Sequence, residues 1–148
     1  MTEIVQPQHT NFHGTIFGGV VMSWIDTAAA IAAYRHAETV CVTASIDELH
    51  FLHPVWKGDI VNIQSRITCV HKTSCEVHVK VTSENPTRQE KKVTADALLT
   101  FVSVGRDGRP CPMPGLILET EEDKKLHKEA LLRKEHREKF RKSLLAST

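Results

Sequence analysis

Between Gly18 and His36 runs GGVVMSWIDTAAAIAAYRH, a stretch that is apolar on nearly every side yet carries one carboxylate, Asp26. Its length and its five alanines favour helix over strand. Val20, Val21, Met22, Trp24, Ile25 and Ala28 to Ala33 do not form one stripe, and a helix apolar all round belongs inside something. The alanine side would let a sheet approach closely. Asp26 then has to be explained. No Lys or Arg is adjacent in sequence, and a buried charge is costly unless paired or hydrogen-bonded. Desolvation would raise its pKa, which suits a general base or acid.

The rest of the chain supplies a sheet to surround that helix. VCVTASIDELHF (40–51), IVNIQSRITCV (60–70), CEVHVKVTS (75–83) and VTADALLTFVSV (93–104) read as strands. The third alternates most cleanly, with Cys75, Val77, Val79 and Val81 against Glu76, His78, Lys80 and Thr82. In the second, Val61, Ile63, Ile67 and Cys69 share a side. Gly58-Asp59, Asn85-Pro86 and Arg106-Asp107-Gly108 mark turns. Alternation of this kind means antiparallel strands with one buried face and one wetter face. Residues 1–14 read as a polar arm. Thr120-Glu121-Glu122-Asp123 reads as an N-cap and acidic first turn. It opens a peripheral helix with a sparse stripe of Leu126, Leu131, Leu132 and Phe140, expected to fray beyond about Lys142.

Composition sets the outer limits. With 41% hydrophobic and 25% charged residues over 148 positions, a single folded domain is expected. The formal charge of +1 does not suggest nucleic acid or an anionic membrane as partner. No run is long and apolar enough to span a bilayer, and no signal peptide is visible. The four cysteines form no C-x-x-C pair, so no zinc knuckle is expected and no metal is called for. Reduced thiols and a cytoplasmic location fit together.

Asn11, His13 and Gly14 precede Gly18-Gly19 in the spacing N-x-H-G-x-x-x-G-G. This puts an amide, an imidazole and free backbone N–H groups at the mouth of the helix, where the dipole's positive end lies. Such donors could hold the oxyanion of a tetrahedral intermediate.

NFHGTIFGGVVMSWIDTAAAIAAYRH, VTASIDELHFLHPVWKGD and ALLTFVSVGRDGRPCPMP together resemble the hotdog-fold acyl-CoA thioesterases. The resemblance covers about residues 9–128 and is nearest to brain-type acyl-CoA hydrolases and their single-domain bacterial relatives. It implies an α+β hotdog fold, an antiparallel sheet wrapped around a long central helix, with a core over about 9–118 and a charged helix over 119–148. It implies hydrolysis of acyl-CoA with no separate cofactor, coenzyme A being part of substrate and product. Asp26 would be general base or nucleophile, opposed by Asn11 of a partner protomer. Gly18 and Gly19 would be oxyanion donors, Thr43 a support beside the carboxylate, and His13 a loop-shaping residue. Coenzyme A would meet Lys72, Thr73 and Ser74 in one turn and Arg88, Lys91 and Lys92 in another. A single hotdog unit must form a homodimer to complete the site, and relatives form trimers of dimers. Met22, Trp24, Phe51, Leu52 and Trp56 are candidate walls for an acyl tunnel. Two rival readings are a hotdog hydratase or dehydratase built on His53, and a non-catalytic acyl-CoA sensor.

Overall fold

The computed structural model describes residues 1–148. The apolar stretch is helix α1 (Gly18–Ala37), which stops where Glu38 takes a left-handed conformation and donates its N–H to Tyr34 O at 2.9 Å. Five strands follow the order β1-β3-β4-β5-β2, all antiparallel. They are β1 (Thr2–Ile4), β2 (Cys41–Phe51), β3 (Ile60–Val70), β4 (Ser74–Asn85) and β5 (Glu90–Ser103). The polar arm is therefore more than a loop. Its first residues add a fifth, three-residue strand to the edge of β3, too short to show alternation, and Pro7–His9 form a 3-10 turn.

Val21, Ile25, Ala28, Ala29, Ala33 and Ala37 of α1 are buried against the inner face of the sheet. There they meet Val61, Ile63, Cys75, Val77, Val79, Val81, Ala95, Ala97, Leu99 and Phe101. The alternation read for β4 is the observed one. In β3 a register shift between Ile67 and Cys69 breaks the expected pattern. Cys69 pairs with Glu76 on the outer face and does not join Val61 and Ile63 in the core.

The outer face is not simply the wet one. Helix α2 (Glu121–Ala146) crosses it, longer than expected by one turn. Thr120 is its N-cap, with Asp123 N–H donating to Thr120 Oγ1 at 3.0 Å. Hydrogen bonds from the Thr120 backbone and Arg66 hold the Asp123 carboxyl down to about 2. The leucines chosen as its packing stripe mostly miss the sheet: Leu131, Leu132 and Phe140 are exposed, while Ala130 is buried. The helix is anchored by charge instead. Glu76, 1% exposed, accepts from Arg133 (2.6 and 3.1 Å), Arg137 (3.2 Å) and Thr68 (2.6 Å). Burial pushes the Glu76 carboxyl up, but these donors outweigh it and leave it below the usual range. No helix is long and apolar enough to cross a membrane.

Candidate active site

α1 is not enclosed on every side, as its sequence suggested. Met22, Ile31 and Tyr34 are exposed, and Asp26 is half-buried. The reason lies in the sheet order: β2 is an edge strand, so the sheet ends beside this flank of the helix. Exposed Ile46, which pairs with core residue Leu99, continues the same open surface.

Asp26 faces that edge. Thr43 pairs with Phe101, whose ring lies in the core, so the Thr43 side chain shares the inner face. Its hydroxyl donates to Asp26 Oδ1 at 2.7 Å. A register shift follows at once, between Thr43 and Ser45, turning Ser45 and Asp47 to the outer face. Asp26 Oδ2 accepts from no group of the chain, so the carboxylate is oriented on one side and open on the other.

The second group sits at the helix mouth. Asn11 closes a turn: its Oδ1 accepts from His13 N at 2.9 Å and its Nδ2 donates to Thr15 Oγ1 at 3.0 Å. His13 thus shapes the loop through its backbone, and its ring stacks on Phe12. Phe17 is the N-cap residue, and the N–H groups of Gly18 and Gly19 donate to nothing in the chain. A Cβ on Gly19 would come within 2.5 Å of the Phe17 ring, so any side chain there must displace that ring. Along α1 the eight residues from Gly18 to Asp26 span about 12 Å. One protomer therefore holds Asp26 with Thr43, and Asn11 with Gly18 and Gly19, as two separate halves.

A cavity of about 360 Å³ opens at the helix mouth, walled by Gly18, Val21, Phe51, Leu52, Val55 and Ala95 among others. Of the five proposed acyl-tunnel residues, Phe51 and Leu52 line it; Met22, Trp24 and Trp56 do not. His53 also lines it, with Nδ1 2.9 Å from Val93 O and no carboxylate paired to its ring.

The two sets of candidate phosphate-binding residues lie at opposite ends of β4, whose 12 residues span about 40 Å. Thr73 and Lys72 are tied through their carbonyls to Ser103 N and Met113 N, which leaves the exposed Lys72 ammonium without a carboxylate partner. Ser74 starts β4 beside them. At the other end Arg88 is already engaged, 3.3 Å from Asp59 and 3.6 Å from Glu90, and Lys92 lies 3.7 Å from Glu90. Lys91 has no such partner. Asp59, 3% exposed, also accepts from Asn85 Nδ2 at 2.7 Å and Trp56 N at 2.9 Å. Sequence reading took Gly58-Asp59 as a turn signal only and missed this knot, because Asn85 and Arg88 come close only once β4 and β5 have folded.

A single sheet curved around one helix, with a helix carboxylate braced from the edge strand and free N–H donors at the helix start, defines a hotdog fold equipped for acyl transfer. The sequence pattern of the Thioesterase superfamily matches residues 13–90, and the chain belongs to that family. It is 43% identical to an uncharacterized acyl-CoA thioester hydrolase of Bacillus subtilis, over 92% of this chain and 79% of that protein. The crystal structure of an apo-hexameric acyl-CoA thioesterase superposes with a TM-score of 0.90 at 42% identity, covering 94% of this chain and 89% of the other. The acyl-CoA hydrolase of Staphylococcus aureus, solved with butyryl coenzyme A and coenzyme A, gives 0.90 at 34% identity, covering 99% and 90%. That enzyme has also been solved with an aspartate, an asparagine or a threonine changed to alanine. The separations between those three positions equal those between Asn11, Asp26 and Thr43.

Proposed function

We propose that this chain is an acyl-CoA thioesterase whose site is completed by a second copy, with Asp26 and Thr43 from one protomer facing Asn11 of the other. The observation that carries this reading is the Asp26–Thr43 pair on an open flank, about 12 Å from the chain's own free Gly18 and Gly19 donors. Two copies related by a two-fold axis perpendicular to the sheet at the β2 edge would bring each half against its complement. The hexameric relative and the three substituted positions of the Staphylococcus aureus enzyme support it, and a trimer of such dimers is the assembly we expect.

In the reaction, Asp26 takes a proton from water as the hydroxide attacks the thioester carbonyl, or attacks the carbonyl itself to give an anhydride that water then opens. The developing oxyanion is held by backbone N–H groups at a helix mouth, and Asn11 orients the attacking or attacked group. The C–S bond breaks and the coenzyme A thiolate takes up a proton, from Asp26 in the first route and from the water that opens the anhydride in the second. The acyl chain occupies the cavity beside Phe51 and Leu52. Coenzyme A phosphates meet the unpaired cations Lys72 or Lys91, with Thr73 and Ser74 or Arg88 and Lys92 beside them. No separate cofactor takes part. Buried Cys41, Cys69 and Cys75, all free thiols, fit a cytoplasmic enzyme.

The test is release of free thiol from acyl-CoA at neutral pH. Turnover that falls by about 10²–10⁴-fold in Asp26→Asn supports the reading. Binding of acyl-CoA with no thiol release would make the protein a sensor and reject it.

A further inference from the structure

The end of α2 runs off its own chain: Glu138, Phe140 and Arg141 still overlie a cleft on β2 and β5, and the residues from Lys142 to Ala146 lie beyond it. The helix starts over β3, where Asp123 and Glu122 meet Arg66, and reaches β2 fourteen residues later, where Arg137 lies 3.7 Å from Asp47. From Glu138 to Ala146 it continues, and every residue is exposed. That stretch nevertheless carries Phe140, Leu144 and Leu145, exposed by 66%, 53% and 68%. A free helical end of two to three turns is marginal in water without packing. Apolar residues at i, i+4 and i+5 give it one face to bury.

Its direction says what lies under that face. Between Asp123 and Arg137 the helix advances about 21 Å and crosses three strand spacings, about 14 Å. Glu138 to Arg141 lie over the chain's own β2 and β5, and the five residues from Lys142 to Ala146 add about 8 Å on the same heading, about one strand spacing beyond β2. In one protomer the sheet has ended there. In a dimer continued through the β2 edges, that position is the β2 of the second copy.

We infer that the last two turns of α2 dock across the dimer boundary, with Leu144 and Leu145 on the outer sheet face of a second copy of this chain. The receiving surface is visible on this chain itself. Ala44 and Val102 form a small apolar floor in an open cleft of about 770 Å³, with this chain's own Phe140 and Arg141 at its rim. The charges match as well: Lys142 is without a carboxylate partner and β2 presents the exposed Glu48, whereas Asp47 is already held by Ser45, Thr100 and Arg137. A two-fold axis makes the contact reciprocal, so each α2 clasps the other protomer beside the strand that carries Thr43. This inference rests on the shared-site dimer proposed above.

The experiment compares the wild-type chain with the double variant Leu144→Gln/Leu145→Gln, which keeps helix propensity and touches no contact within the protomer. Sedimentation equilibrium should show the dimer Kd raised at least about tenfold, a loss of at least about 1.4 kcal/mol. Thiol release should fall on dilution at a correspondingly higher protein concentration. In wild-type dimer, hydrogen exchange should show protected amides over 140–146. A variant that associates like wild type, or amides over 140–146 that exchange at the rate of a free helix end, overturns the clasp. If the wild-type chain is itself an active monomer, the shared site fails and the clasp with it. If β2 amides over 42–46 are protected and the variant still dimerises normally, only the clasp fails.

Discussion

Thr43 Oγ1 donates to Asp26 Oδ1 at 2.7 Å, joining the edge strand to the middle of the central helix. The bond does two things at once. It fixes the carboxylate rotamer, and it occupies one oxygen so that only the other is offered to water or substrate. It also ties the site to β2, the strand along which a second protomer would pair.

Thr43 is therefore a positioning residue with a measurable share in turnover. A hydrogen bond to a charged group is worth about 1.5–3 kcal/mol. Thr43→Val should lower kcat by roughly tenfold to a hundredfold, and Thr43→Ser should restore most of it because the hydroxyl returns. If Val and Ser variants behave alike in steady-state assays, the hydroxyl has no role in orienting Asp26.

A shared site predicts complementation. Asn11→Ala and Asp26→Asn should each be nearly inactive. In a mixed dimer of the two, one of the two sites regains both residues. Random exchange of subunits in an equimolar mixture should then recover about a quarter of wild-type activity, as two-fold symmetry requires. No recovery after subunit exchange has been verified by mass spectrometry would place Asn11 and Asp26 in the same protomer's site.

Much of this was legible beforehand because it is written locally. The alanine-rich run specified α1, and alternation in β4 specified which residues enter the core. Asp26 stood out because it interrupts that run. What stayed hidden depends on partners far apart in sequence. Glu76 looks like any wet-face residue until Arg133 and Arg137, 57 and 61 positions away, arrive on α2. The open flank of α1 could not be foreseen, since hydrophobicity says a surface wants covering and not whether its own chain covers it. Thr43 was placed beside Asp26 by family resemblance; the strand pattern alone does not single it out.

The separation of the two basic turns gives a prediction about coenzyme A. Within those turns Lys72 and Lys91 are the exposed cations without carboxylate partners, and about 40 Å of strand lies between them. Replacing the lysine that meets a phosphate with alanine should raise KM severalfold and leave kcat nearly unchanged, since such a contact serves ground and transition states alike. Arg88→Ala should behave differently. It strips a partner from buried Asp59, so the melting temperature should fall together with any change in KM. If neither lysine variant moves KM, the phosphates bind elsewhere.

The last prediction concerns acid. Glu76 is buried with its carboxyl held below the usual range by Arg133, Thr68 and Arg137 acting against burial. A depressed folded value means the ionised form is the stabilised one. Its contribution is complete above the ordinary carboxylate range, about pH 4–5, and is lost as the pH falls through the lower folded value. Asp123, at the start of α2, is held down as well, to about 2. Glu76→Gln keeps the Thr68 contact but leaves two arginines without their carboxylate. Breaking a fully buried pair costs about 3–5 kcal/mol; Arg133 and Arg137 are partly solvated, so about 2–3 kcal/mol is expected. For a chain of this length that is roughly 5–10 °C in Tm at neutral pH. The gap between wild type and variant should narrow as the pH drops below about 5, because wild type loses what the variant never had. Thermal melts across that range decide the matter: a gap that stays constant with pH would show that the Glu76 charge does not anchor α2.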